Sequence, residues 1–211
     1  ELIEYTYHYL DSIKKFGWKS YIVEMDVHKI LGLESLKKFR KIFEENYPIE
    51  KTIFVWHIEE GKKGFDALCK KYPYIAISIP ELRFALKPKS LKIAVKALII
   101  RANKINPNIK IHLLGCTQKN LMEQSGYYSC DSTSWLSGAQ WGTCGIWNIK
   151  TNTIFNPSIH SKIYKKYKQS KMNEWNEINL EIKLNDNMIE YWLASESYQK
   201  LNNYINKKYY K

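Results

Sequence analysis

The segment Ile-Lys-Ile-His-Leu-Leu-Gly at residues 109–115 is the best indication of how this chain folds. It is a short, mostly apolar run that ends at a glycine, which is typical of a buried strand in a parallel sheet. Four comparable runs occur at residues 21–27, 52–57, 74–79 and 127–131, and polar stretches with helical periodicity separate them. This alternation predicts successive β/α units around a parallel sheet, and so an α/β fold of the TIM-barrel type.

The stretches between and around the runs predict the helices. Residues 2–16 and 91–105 have amphipathic patterns, and Asp186 is a candidate N-cap for a last helix that ends near Ile205. The connections are long enough for the right-handed crossovers that parallel strands require. One more helical stripe comprises Leu33, Leu36, Phe39, Ile42 and Phe43, and the candidate buried positions of the last helix are Met188, Trp192, Leu193 and Tyr198.

The alternation of strands and helices stops beyond Ser132. A short helix is expected to begin at Thr117 and Gln118 and to continue through residues 120–124, before the last run. Residues 137–157 are rich in Gly and Trp and predict an irregular loop, with a short hairpin at about 146–155. We therefore predict a single domain over residues 1–211. Its barrel portion covers about 18–135, and a C-terminal loop, basic segment and helix cover about 136–211.

Length and composition limit the class of protein. The chain has 211 residues, whereas a complete (β/α)8 barrel typically needs about 250, so either the barrel lacks its first strands or the fold is something smaller. With 45% hydrophobic and 26% charged residues, and no apolar run near the roughly 18 residues of a membrane span, it reads as a soluble cytoplasmic protein. The four cysteines share no C-x-x-C spacing, and His160 is too distant to complete a zinc site. The sequence thus predicts reduced thiols, no structural metal and no cofactor.

The formal net charge of +12 has two explanations. Lysine-rich surfaces bind polyanions by releasing counterions from phosphates, which favours a nucleic-acid partner. However, arginine occurs only at positions 40, 83 and 101, and the abundance of Lys, Asn, Ile and Tyr is also what an AT-rich genome would produce. Charge alone does not decide between them.

Two linked motifs resemble those of a known family. The segment His-Leu-Leu-Gly-Cys-Thr at residues 112–117 is followed by Tyr-Ser-Cys-Asp-Ser-Thr-Ser-Trp at residues 128–135. Together they resemble the last two strands of the queuine/archaeosine tRNA-guanine transglycosylase (TGT)-like family, in its phage and bacterial branch that inserts 7-deazaguanines into DNA or tRNA. Residues 24–26 and 55–57 also resemble strand-end motifs of that branch, so the likeness spans about residues 20–142.

The resemblance implies a function and a set of roles. The family replaces guanine in a nucleic acid by a free 7-deazaguanine, which makes Asp131 the nucleophile at C1′ of the target nucleotide. A carboxylate suits this step because the transition state resembles an oxocarbenium ion. The implied base-binding residues are Asp26, His57 and Gly115, and Trp135 is a candidate for stacking on a flipped base. The candidate phosphate-binding residues are Lys162, Lys165, Lys166 and Lys168. His112 is interpreted as structural, and Cys116 and Cys130 as buried thiols rather than nucleophiles.

The chain departs from the family pattern in three places. The turn expected at residues 79–81 has Ile79-Pro80 where tRNA-acting members have a glycine pair, and their C-x-C-x-x-C zinc motif is absent. No D-S-G-type motif, which carries the family's second catalytic aspartate, precedes Ser20. Three hypotheses explain its absence: the chain is a piece of a longer protein, the preferred one; a partner chain or dimer completes a split barrel; or the protein only binds.

Other functions are open on the same residues. The scaffold could serve a catalytically inactive nucleic-acid-binding or assembly subunit. It could also be a barrel glycoside hydrolase that uses Asp26 and Asp131 as a carboxylate pair. Locally, Asp131 with Ser132, Thr133 and Ser134 could simply cap a turn.

Overall fold

The computed structural model describes residues 1–15, 20–124, 126–177 and 186–209. The chain divides into two compact units. The first comprises Glu1–Cys116 and Gln124–Asp131, and the second comprises Thr117–Glu123 and Ser132–Lys211. The division after Asp131 falls close to the change of character expected near residue 135. That both units form one domain stays a prediction.

A five-stranded parallel sheet is the centre of the first unit. Its strands are β1 (Ile22–Val23), β2 (Thr52–Trp56), β3 (Tyr74–Ser78), β4 (Lys110–Leu114) and β5 (Ser129–Cys130), in the order β1-β2-β3-β4-β5. Every neighbouring pair is parallel. Each of the five predicted runs therefore contains a strand. The sheet curls into a half-barrel, which confirms the α/β class and a β/α arrangement.

One face of the sheet carries both apolar and polar side chains. Successive residues of a strand point to opposite faces, so β2 and β3 each contribute every second residue to one face. One face holds an apolar cluster of Ile53, Val55, Tyr74 and Ala76. His57 follows on β2 in the same alternation, and His112 lies beside Ala76 in the register of β4. Polar groups thus appear on this face toward the carboxyl ends of the strands.

The described residues of the first unit form five helices: α1 (Leu2–Lys14), α2 (His28–Asn46), α3 (Gly61–Lys71), α4 (Ile79–Ala85) and α5 (Pro88–Ile105). Gly32, at φ 77°, interrupts α2, so the regular helix follows it, where the apolar stripe of Leu36, Phe39 and Phe43 is buried. Short 3-10 turns occupy Ile49–Lys51 and Ile58–Glu60. The turn expected at residues 79–81 is wrong: Pro80 stands in the first helical turn of α4, where a missing N–H is tolerated.

The second unit has four helices in its described part, with one hairpin. They are α6 (Lys119–Met122), α7 (Ser134–Gln140), α8 (Lys162–Glu177) and α9 (Asp186–Tyr209), and the hairpin pairs β6 (Ile146–Asn148) with β7 (Thr153–Phe155). The predicted hairpin is confirmed. The loop expected from residue 137 is wrong at its start, because α7 continues to Gln140.

Only part of the expected apolar face of α9 is buried. Leu193 is fully buried, but Met188 and Trp192 are each 46% exposed, which contradicts their prediction as core residues. The capping role of Asp186 rests on a side chain outside the described residues. None of the helices among the described residues is both long and apolar enough to cross a bilayer.

Candidate functional site

Asp131 lies at the carboxyl end of the sheet, one residue after β5. Its side chain is 56% exposed. The same oxygen, Oδ1, accepts a hydrogen bond from the backbone N–H of Gly115 at 2.8 Å and lies 3.1 Å from Nε2 of His112. Both partners belong to β4 or to the turn that follows it, so the neighbouring strand holds this carboxylate in place.

Gly115 is required by this arrangement. Its backbone has φ +67°, which L side chains rarely adopt, and an added Cβ would lie 2.8 Å from Cγ of Pro80. Glycine alone tolerates both constraints at little cost. The turn can therefore direct the Gly115 N–H at Asp131. The predicted contact of Gly115 with a base stays a prediction.

A chain of hydrogen bonds extends from Asp131 into the sheet. Nδ1 of His112 lies 2.7 Å from Oγ of Ser129, and that oxygen lies 2.5 Å from the hydroxyl of Tyr74. With neutral His112 carrying its proton on Nε2, Tyr74 donates to Ser129, Ser129 to His112, and His112 to Asp131. Every member then has a partner. His112 is buried in the sheet, as expected, but it also contacts the proposed nucleophile, which its purely structural interpretation missed.

These contacts determine the charge of Asp131. The hydrogen bond from His112, with the Gly115 N–H in support, lowers the pKa of Asp131 below its ordinary value, although partial burial opposes the shift. The carboxylate is thus ionised at neutral pH. An ionised and half-exposed carboxylate is available for chemistry at the surface of the sheet.

A second group of polar side chains lies at the ends of β1, β2 and β3. Asp26, His28, His57 and Glu81 each offer a ligand atom, and these atoms all lie within 4.8 Å of one another. The rings of His28 and His57 are stacked with their centroids 3.6 Å apart. We call these four residues the histidine cluster. Among the described residues, it is the group that could hold a metal ion.

Each histidine of the cluster is oriented by a carboxylate. Nδ1 of His28 lies 2.7 Å from Oδ1 of Asp26, and Nδ1 of His57 lies 2.8 Å from Oε1 of Glu81. The other oxygen of Glu81 accepts a hydrogen bond from the N–H of Ile58 at 3.0 Å. Strand ends and α4 therefore fix both rings.

A buried ion-pair network contacts the histidine cluster, because Glu60 accepts a hydrogen bond from the N–H of His57. Arg40 of α2 donates from Nε to both oxygens of Glu24, from both Nη atoms to Glu60, and from Nη2 to the carbonyl of Val55. Glu24 also accepts from the Val55 N–H at 2.6 Å. Burial raises the pKa of Glu24 to about 7, and Arg40 opposes that rise. Arg40 thus ties α2 to β1 and β2.

The proposed base-binding residues are not equivalent in the structure. The side chain of Asp26 is 58% exposed, whereas His57 is fully buried in this conformation. Trp135 belongs to the second unit, where it packs against a buried cluster that includes Cys144 and Leu193. Their roles in base recognition stay predictions.

The basic segment is a helix with its lysines in two situations. Lys162, Lys165 and Lys166 of α8 are exposed. Lys168 is partly buried and lies 3.3 Å from Oε1 of Glu190. Three of the four proposed phosphate contacts therefore have free access to solvent.

The four cysteines, all among the described residues, are free thiols. Burial raises the pKa of Cys130 to about 12, so the residue before Asp131 is protonated at neutral pH. Cys116 is fully buried. Both features agree with the expectation that neither is a nucleophile.

The sequence prediction did not include the histidine cluster, because it considered only cysteine-based metal spacing. A usable signal was present: Asp26-Val27-His28 follows one strand, and His57 ends the next. Strand ends of a parallel sheet meet at one edge, which brings such residues together. Glu81 also follows a predicted strand end, but it lies in α4 rather than in the expected turn.

Comparison of the chain with family models, with curated proteins and with solved structures finds no match.

Proposed function

We propose that this chain is part of a nucleic-acid base-exchange transglycosylase of the TGT-like family, with Asp131 as the nucleophile. The observation that carries the proposal is the ionised, half-exposed carboxylate of Asp131 at the carboxyl end of β5, held by Gly115 and His112. The carboxyl ends of parallel strands are where β/α barrels carry their active sites. The motifs at residues 112–117 and 128–135 add the substrate class.

The proposed reaction has two displacements at C1′. In the first, a carboxylate oxygen of Asp131 bonds to C1′ of the target nucleotide, the C1′–N9 bond breaks, and guanine leaves after gaining one proton. In the second, N9 of a 7-deazaguanine loses its proton and bonds to C1′, and the ester bond to Asp131 breaks. The carboxylate is regenerated and the proton count balances.

The chain's own residues have defined parts in this scheme. Asp131 must be ionised when it attacks, and the hydrogen bond from His112 keeps it so. Because Oδ1 receives both hydrogen bonds, Oδ2 is the oxygen directed to the substrate. The proton for the leaving guanine requires a general acid, which the family resemblance assigns to an aspartate on an early strand outside this sequence.

The half-barrel sheet supports the proposal that the complete fold contains more strands than the five in the described residues. β1 and β5 are the edges of the sheet as the described residues define it, and a parallel edge strand can pair with a further strand. We propose that added strands, from the same gene product or a partner chain, complete a TIM-type barrel around Asp131. We also propose that the exposed lysines of α8 contact phosphates of the nucleic acid.

The test uses the full-length protein with tRNA and DNA that carry labelled guanine. In the presence of a free 7-deazaguanine we expect label to be released, and Asp131→Ala and Asp131→Asn to abolish release. Asp11→Asn, at an exposed aspartate of α1, is the matched control for loss of one negative charge and should release label normally.

Three outcomes distinguish the hypotheses. Release that is unchanged in Asp131→Ala rules out the proposed nucleophile. Binding of nucleic acid without any release identifies a binding or assembly subunit. Hydrolysis of oligosaccharides in place of base exchange identifies a glycoside hydrolase.

A further inference from the structure

We infer that the histidine cluster of Asp26, His28, His57 and Glu81 is a binding site for one divalent transition-metal ion, with Zn²⁺ as its representative. The site shares Asp26 and His57 with the base-binding residues that the family resemblance implies, but its test does not depend on the proposed activity of Asp131. It also departs from the expectation of a protein without a metal site, which rested on cysteine spacing.

The first argument is the state of the two histidines. Nε2 of both His28 and His57 is buried, and neither atom makes a hydrogen bond within the described part of the structure. A buried polar atom without a partner is costly, so it indicates a missing ligand. With Nδ1–H of each ring donated to a carboxylate, each Nε2 presents a lone pair. That carboxylate–histidine pattern is how proteins orient imidazoles toward a metal.

The second argument is the spacing of the ligand atoms. In a tetrahedral site with bonds of about 2.0 Å, ligand atoms are separated by about 3.3 Å. Nε2 of His28 lies 3.5 Å from Oε1 of Glu81, and Nε2 of His57 lies 3.9 Å from Oδ1 of Asp26. These two separations exceed that value by about 0.2 and 0.6 Å.

The third argument is charge. Asp26 and Glu81 bring two carboxylates together, and Glu59 lies 3.6 Å from Nε2 of His28. Lys29 is paired with Glu59 at the exposed side of the group. A divalent cation balances the charge of these carboxylates.

The donor set selects the class of ion. Two imidazoles and two carboxylates suit Zn²⁺, Fe²⁺ or Mn²⁺, whereas Mg²⁺ prefers oxygen ligands alone. Asp26 and Glu59 are 58% and 40% exposed, so the ion can enter from their side. Once bound, it links the ends of three neighbouring strands to α4.

The experiment measures metal binding directly. Full-length protein, purified without a metal-affinity tag and stripped with EDTA, is titrated with Zn²⁺ against a chromogenic chelator, and bound metal is counted by mass spectrometry. We expect one Zn²⁺ per chain and weaker binding of Mg²⁺. At a hundredfold excess over Kd, the Tm should rise by roughly 5 to 10 °C.

Variants locate the ion. His28→Gln and Asp26→Asn should each weaken Zn²⁺ binding by at least about tenfold. His8→Gln and His160→Gln remove exposed histidines and should leave binding unchanged. Because His28 and His57 are both buried, substitution of either histidine also tests folding. Asp26→Asn changes an exposed side chain and separates binding from folding.

Two results would overturn the site: wild-type protein that takes up no stoichiometric Zn²⁺, or both cluster variants binding it as the wild type does. Neither measurement uses base exchange. Failure of the metal site and failure of the transglycosylase proposal are therefore distinguishable.

Discussion

The two ends of one sheet edge use histidine differently. At β4 and β5, both ring nitrogens of His112 make hydrogen bonds, and its partner Asp131 is half-exposed and ionised. At β1, β2 and β3, His28 and His57 each use one nitrogen and leave the other buried without a partner. A histidine whose two ring nitrogens are both hydrogen-bonded positions another group. A histidine with a buried nitrogen that makes no hydrogen bond indicates a missing ligand. The contrast separates a candidate catalytic carboxylate from a candidate metal site.

The contrast predicts that a substitution in one region leaves the other region functional. The largest effect on stability is expected for substitution of Arg40. Arg40→Met leaves Glu24 buried without its ion-pair partner, which should lower the free energy of unfolding by about 3 to 5 kcal/mol. Zn²⁺ binding at the histidine cluster should weaken with it. Urea denaturation measures the first effect and metal titration the second.

Lys37→Met is the matched control for Arg40, because Lys37 lies on the same helix with a 68% exposed side chain. It should change stability by no more than about 0.5 kcal/mol. If Arg40→Met were equally mild, the buried network would not be what holds α2 to β1 and β2.

Gly115→Ala should disturb the Asp131 region. Its positive φ and the close approach of Pro80 should together cost about 1 to 3 kcal/mol of stability. Base exchange should slow as well, since the N–H that holds Asp131 moves. The measurements are urea denaturation and label release.

Gly142→Ala provides the comparison for Gly115→Ala. Gly142 also has positive φ, at +69°, but an added Cβ would have nothing within 4 Å. It should lose only about 1 kcal/mol. Equal losses in the two variants would show that the contact with Pro80 is unimportant.

The smallest effect concerns the titration of Asp131. His112→Phe removes the hydrogen bond that lowers its pKa, so that pKa should rise toward the ordinary value, while His112→Gln should partly restore the wild-type pKa. NMR titration of the Asp131 carboxyl carbon in each variant measures both.

The sign of the pH effect follows from the lowered pKa. A depressed carboxyl pKa adds stability that is present above the pKa of the unfolded chain and is lost as pH falls through that of the folded chain. Because the pKa of Asp131 should be higher in His112→Phe, the acid limb of the pH profile of base exchange should move to higher pH in that variant. An unchanged limb would mean that His112 does not control the ionisation of Asp131.

The strands were predictable because their signal is local. Five apolar runs and the helical stripe of α2 follow from side-chain periodicity, and both are present in the structure. The errors arose where local signals compete. Pro80 suggested a turn, yet proline also begins helices, and the apolar Met188 and Trp192 of α9 remain 46% exposed. Periodicity marks which side chains can be buried, and packing decides which are.

The sequence by itself determined the parallel β/α order and put Asp131, Asp26 and His57 at strand ends, because strand character and chain order are written residue by residue. Only the tertiary structure brought His28 and Glu81 to His57, and His112 to Asp131. These contacts join residues from different β/α units, and their distances depend on strand register and helix packing. A one-dimensional pattern specifies neither.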